Sequence, residues 1–293
     1  MTTTLEPAPD PAGLAADRHD TAHLAAVARR VREHIVDMCA GPEGGHLGGS
    51  CSSADLLTAL YFAVLDIDPA APADPGRDRF VLSKGHAAIG LYAVLAERGY
   101  FPVDELAGYG RPGSRLMGHP VRAVPGVDLP TGSLGHGLAL ACGLALGQRR
   151  ARGAARSFVL MGDGELQEGS VWEAAIAAAS LRLDNLVALV DRNGLQLNGR
   201  TADTAPMEQL ADRWRSFGWA VRETDGHDLD ALVTHLSEAP WEPGRPSVLI
   251  CRTVKGQGIP FLADRVSSHY LQLSPRNHAR ARAALRTDRG VRT

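Results

Sequence analysis

Gly-Asp-Gly at 162–164 and Asp-Arg-Asn at 191–193 each close a short apolar run, and an alanine-rich stretch lies between them. Met161 to Asn193 therefore reads as strand end, helix and strand, the pattern of a βαβ unit with parallel strands. Open α/β sheets bind ligands beyond the carboxyl ends of their strands. Asp163 and Asn193 would stand there as one carboxylate and one carboxamide. Such hard oxygen ligands suit Mg²⁺ or Ca²⁺ on a diphosphate. Gly162 and Gly164 would let the backbone come close to that group, because neither carries a Cβ.

Three histidines lie in glycine-rich turns, His46 in GGHLGG, His86 in SKGHAA and His119 in MGHP, and His269 in SSHY follows the glycine-rich loop KGQGIPF. A single turn histidine says little. Four of them, at the carboxyl ends of expected strands or at helix starts, can line a polar pocket, donate to phosphate oxygens and move protons near neutrality.

The elements that must position these groups follow from periodicity. Leu24, Val27, Val31 and Ile35 form one face of a helix. GGHLGGS, at 44–50, reads as a glycine-rich break before an apolar helix, ADLLTALYFAV. RFVLSKGHAAIGLYAVLAERG reads as a strand, a turn and a helix closed by Gly99. The segment from Tyr100 to Leu129 is irregular. TGSLGHGLALACGLALGQRR begins a helix among glycines, whose small residues allow a close crossing. WAVRE (219–223), a helix from about Asp228 to Ser237 and SVLIC (247–251) continue the strand and helix alternation. Such alternation without internal repeats predicts one α/β domain with an open, mostly parallel sheet flanked by helices over residues 21–293, after a disordered leader at 1–20.

The chain has 293 residues, 44% hydrophobic and 22% charged, as expected of a globular protein. Its net charge of −2 gives no bias toward nucleic acid or an anionic membrane. Arg276, Arg280, Arg282, Arg286, Arg289 and Arg292 crowd the tail, but without interleaved aromatics they read as a solvated or partner-facing helix. Cys39, Cys51, Cys142 and Cys251 are widely spaced among apolar neighbours and read as buried free thiols. With no signal peptide pattern and no run long enough to span a bilayer, a cytoplasmic location is expected.

The ordered series GGHLGGS, LSKGHAA, GHP, TGSLGHG, GDGELQEG, DRNG and KGQGIPF…SSH resembles the amino-terminal, diphosphate-binding domain of transketolase from about Ala25 to His269. The resemblance implies the thiamine diphosphate-binding fold, with thiamine diphosphate and Mg²⁺ (or Ca²⁺) as cofactors. The metal would be held by Asp163, Asn193 and the backbone carbonyl of Leu195. His46, His119 and His269 would serve the sugar. The cofactor would meet His86, His269, Gly132, Ser133, Leu134, Gly162, Asp163, Gly164, Glu165 and Asn193, with Leu134 on its aminopyrimidine. Glu168 would be a buried carboxylate of the subunit interface.

Three positions depart from the family pattern. Ser268-His269-Tyr270 replaces Trp-His-Gly, Asn198-Gly199 replaces Asp-Gly, and His136 stands where glutamine is usual. Tyr270 adds bulk beside His269. The family's glutamate for the aminopyrimidine ring belongs to a second domain, which this sequence does not contain. The resemblance therefore implies the amino-terminal subunit of a split transketolase. It would act only with a carboxy-terminal subunit, in a 2+2 heterotetramer on sugar phosphates, moving a two-carbon ketol unit from a ketose to an aldose. The alternative is an alpha-type subunit of a thiamine diphosphate-dependent 2-oxo acid decarboxylating or acyloin-forming enzyme. That group does not show His46, His86 and His119 in these contexts.

Overall fold

A computed structural model describes residues 20–207 and 209–287. The leader expected at 1–20, except Asp20, and the arginines at 289 and 292 lie outside the described residues. Asp20 caps helix α1 (Thr21–Cys39), accepting from the Ala22 N–H and so satisfying a first-turn donor. Leu24, Val27, Val31 and Ile35 are all buried along one stripe of α1.

The chain then differs from its expected course. GGHLGGS is not a simple break, because Leu47–Ser52 forms a short helix, α2, with His46 at its amino end. ADLLTALYFAV divides into α3 (Ala54–Ala59) and a π-helical turn at Leu60–Val64. Glycine is a poor helix former, yet here it is required by a close approach. A Cβ on Gly48 would stand 2.7 Å from the Ser268 carbonyl and 2.9 Å from Lys255 Cγ.

Strand β1 (Arg79–Leu82) leads through the Lys-Gly-His turn into α4 (Ala88–Arg98), which Gly99 ends in the left-handed conformation as expected. Helix α5 (Gly137–Arg150) precedes β2 (Ser157–Gly162), α6 (Gly169–Ser180) and β3 (Leu186–Arg192). Among the glycines of α5 only the first makes a close approach, where a Cβ on Gly137 would lie 2.6 Å from Ser83 Cα.

A small hairpin follows, β4 (Leu195–Gln196) and β5 (Gly199–Arg200), then α7 (Thr201–Thr204) and α8 (Leu210–Ser216). Next come β6 (Ala220–Asp225), α9 (Leu229–Ser237), β7 (Ser247–Arg252) and α10 (Pro275–Thr287). The arginine-rich α10 is not simply solvated. Ala281 and Leu285 are buried, Arg282 pairs with Glu33 at 3.0 Å, and His278 meets Asp37 at 2.7 Å, so it packs along α1.

Five strands pair in parallel in the order β1-β2-β3-β7-β6. Their side chains alternate between two cores. Phe80, Leu82, Phe158, Leu160, Val187 and Leu189 pack with α1, α4 and α9, whereas Val81, Val159, Met161, Ala188 and Val190 pack with α5, α6 and α8. Burial on both faces explains why β2 and β3 read as unbroken apolar runs. All four cysteines are free and buried, as expected. Among the described residues no helix is long and apolar enough to cross a membrane.

Candidate active site

The carboxyl ends of β1, β2, β3 and β7 and the start of α2 surround one cavity of about 380 Å³. Its wall includes His46, His86, Gly132, Leu134, Asp163, Glu165, Asn193, Leu195 and His269. Gly162, Gly164 and Glu168 also border it, as does Lys255, so residues from seven separated stretches of sequence meet there.

Asp163 follows β2 and is buried. Its Oδ1 accepts from the Gly164 N–H at 3.0 Å and its Oδ2 from the Gly194 N–H at 2.7 Å. Asn193 Oδ1 accepts from the Leu195 N–H at 3.1 Å, and its Nδ2 donates to Asp191 at 3.3 Å. Burial, then the neighbouring Asp191 charge, push the Asp163 pKa up to about 6. The corner thus holds negative charge that the protein compensates incompletely, and its donors are a carboxylate, a carboxamide and the Leu195 carbonyl. Among the described residues no three His, Cys, Asp or Glu converge as a metal cage. A one-carboxylate oxygen set fits a hard cation that keeps other ligands from a diphosphate.

The histidines form a second group. His46 has its ring centroid 5.1 Å from His86, 5.3 Å from His269 and 6.5 Å from His119, and His86 stacks on His269 at 5.4 Å. Burial, with nearby cations or histidines, lowers His46 and His269 to about 4 and His86 to about 2. These rings are therefore neutral near pH 7, able to donate from one nitrogen and accept at the other. His119 and Ser133 are exposed on the rim rather than on the cavity wall. His119 packs against Gly132, where a Cβ would lie 3.2 Å from its ring, and the Tyr92 hydroxyl donates to its carbonyl at 2.8 Å.

Tyr270 is exposed, yet its ring packs edge-on against His46 at 4.8 Å and its hydroxyl donates to the Glu43 carbonyl. Glu165 lies in the wall with its oxygens already taken. It accepts from the Ser83 hydroxyl, from the Gly135 N–H at 2.9 Å and from the Gly162 N–H at 3.1 Å, and so braces three loops. Glu168 is exposed at the start of α6.

Sequence reasoning missed three charged residues. Lys84, fully buried after β1, donates to Asp191 and to the Gly49 carbonyl at 2.9 Å. Asp191, at 0% exposure, also accepts from Ser52 at 2.7 Å and from Thr253. Lys255 donates to the Leu195 carbonyl at 3.0 Å and to His269 Nδ1 at 2.9 Å. Its pKa falls to about 8 through burial and the neighbouring Lys84 charge. For Lys84 and Asp191 a charged residue closing an apolar run was the available signal, whereas Lys255 follows Arg-Thr-Val and carried none.

The transketolase thiamine diphosphate-binding domain matches residues 24–290. The chain belongs to that family. It is 44% identical over 231 residues to the 6-deoxy-6-sulfo-D-fructose transketolase subunit of Clostridium sp. (strain MSTE9), covering 78% of this chain and 84% of the relative. It is 45% identical over 245 residues to an apulose-4-phosphate transketolase subunit from Actinobacillus succinogenes, covering 83% and 88%. The structure of Pichia stipitis transketolase with sedoheptulose 7-phosphate superposes with a TM-score of 0.85 at 28% identity. That match covers 90% of this chain and 41% of the longer one, so the chain spans less than half of the solved transketolase. The expected thiamine diphosphate-binding fold is thereby established.

Proposed function

We propose that this chain is the diphosphate-binding subunit of a two-chain transketolase that moves a two-carbon ketol unit from a ketose phosphate to an aldose. The observation that carries this reading is the meeting of the His46, His86 and His269 rings with the Asp163 and Asn193 corner in one cavity. Two relatives named as subunits, matched over 84% and 88% of their own length, support a partner chain.

Asp163, Asn193 and the Leu195 carbonyl would hold Mg²⁺ or Ca²⁺, and His86, Gly132 and Leu134 would line the cofactor. When bound, thiamine diphosphate supplies the carbon–carbon chemistry, and the protein supplies position and proton transfer. His46 and His269, kept neutral by burial, hold or move protons at substrate oxygens, and His119 adds a polar group at the rim. A carboxy-terminal subunit, in a 2+2 assembly, would bring the pyrimidine-binding half, with exposed Glu168 at the seam. The functional setting is the cytoplasm.

Competition between donors tests the chemistry. A ketose offers hydroxyls to these histidines, whereas pyruvate offers a methyl group and leaves buried polar groups unpaired at about 1–3 kcal/mol each. The complex is expected to cleave a ketose phosphate well ahead of pyruvate. Carbon dioxide release from pyruvate at an equal or greater rate would support the 2-oxo acid reading instead.

A further inference from the structure

Three consecutive residues after β7 are each held by a different part of the chain. The Thr253 hydroxyl donates to Asp191, the Val254 N–H donates to His227 Nε2 at 2.9 Å, and Lys255 Nζ reaches the Leu195 carbonyl and His269. His227 stands just beyond β6, at an Asp-Gly turn pinned by its own N–H to Asp225 and by Gly226 N–H to the Arg252 carbonyl at 2.7 Å. On its other side, His227 Nδ1 lies 2.7 Å from Asp55 Oδ2.

Asp55 is a firm anchor. It is buried on α3, and Arg32 of α1 grips both its oxygens. Burial alone would raise its pKa, but the Arg32 charge and the His227 hydrogen bond outweigh that and lower it to about 2. A carboxylate at Nδ1 and a backbone N–H at Nε2 together select one neutral tautomer, with the proton on Nδ1. The ring then links a buried ion pair between two helices to the backbone one residue before Lys255. A displacement there would carry the Lys255 ammonium away from both groups it bridges.

We propose that His227 is a positioning residue for the active site, acting through Val254 to set Lys255 between the Leu195 carbonyl and His269. Its consequence for the cofactor rests on the function proposed above, whereas its consequence for the loop does not. Two isosteric variants separate the roles, because Gln presents an acceptor near the place of Nε2 and Asn presents a donor near the place of Nδ1.

Hydrogen exchange of the segment 253–257 would be measured by mass spectrometry in the full chain, and thiamine diphosphate affinity by calorimetry in the two-chain complex. His227→Asn is expected to speed exchange and weaken the cofactor by about tenfold each, with His227→Gln within about twofold of the native protein on both. Equal damage from both variants, native behaviour in both, or harm from Gln alone would overturn the proposal. A complex that binds no thiamine diphosphate at all, while the exchange pattern holds, would refute the function and leave the positioning of Lys255 standing.

Discussion

Along the carboxyl ends of β1, β2, β3 and β7 the polar groups are buried and already engaged by the chain itself, whereas His119, Ser133, Glu168, Leu197 and Tyr270 stand exposed around the rim. Buried Lys84, Asp191 and Ser52 share one network with half-buried Thr253 and Asn193 in the first region. In the second, Leu197 is 63% exposed and Tyr270 52%. Singly exposed apolar side chains are ordinary, but these two stand beside the cavity, where Leu197 lines its wall and Tyr270 packs on His46. The difference separates what one chain can preorganise, the Asp163 and Asn193 corner proposed to hold the diphosphate and metal, from what the proposed partner would complete.

The largest effect expected from breaking this contrast is at the corner. Asp163→Ala and Asn193→Ala each remove an oxygen from a small set, and metal-dependent cofactor affinity in the complex is expected to fall at least about 100-fold. Calorimetry decides, and unchanged affinity in both variants would mean that Gly-Asp-Gly is only a turn here.

A second break tests how far the buried network is structural. Lys84→Met leaves the Asp191 carboxylate buried with only neutral donors, and a loss of about 3 kcal/mol or more is expected in chemical denaturation. A loss below about 1 kcal/mol would show that Ser52, Thr253 and Asn193 suffice without the ammonium.

The extent to which this was legible in the sequence follows the same division. Asp163, Asn193 and His86 were readable because glycine punctuates the strand ends that carry them, and His46 and His119 because glycine marks their turns. The Lys84–Asp191 pair was not, since its members lie 107 residues apart and meet only when β1 and β3 are placed on either side of β2. His227 was hidden for another reason. Asp-Gly-His-Asp before an apolar helix reads as a turn and an N-cap, and Asp228 indeed caps α9 by accepting from the Ala231 N–H. Helix α2 was not legible because its glycines record tertiary contacts, Gly48 with Ser268 and Lys255 more than 200 residues away in sequence and Gly49 with Lys84 and His86, not local propensity.

A smaller effect concerns pH. His86 and His46 have folded pKa values of about 2 and about 4 against an ordinary 6.5. As pH falls below 6.5 the unfolded chain binds protons that the folded chain refuses. Stability that is complete above that value is therefore lost as pH drops toward 4. His86→Asn removes one such group, so the decline in unfolding free energy between about pH 6.5 and 5 should become shallower by up to one proton's worth of slope. An unchanged slope would place His86 in water in the native state.

The most direct test of the central claim is ketol transfer by the purified chain, with thiamine diphosphate, Mg²⁺, a ketose phosphate and an aldose phosphate, measured with and without a second polypeptide carrying a pyrimidine-binding domain. The account predicts no turnover from this chain alone and restored transfer when the two are combined. Full turnover by this chain without any second polypeptide would contradict it.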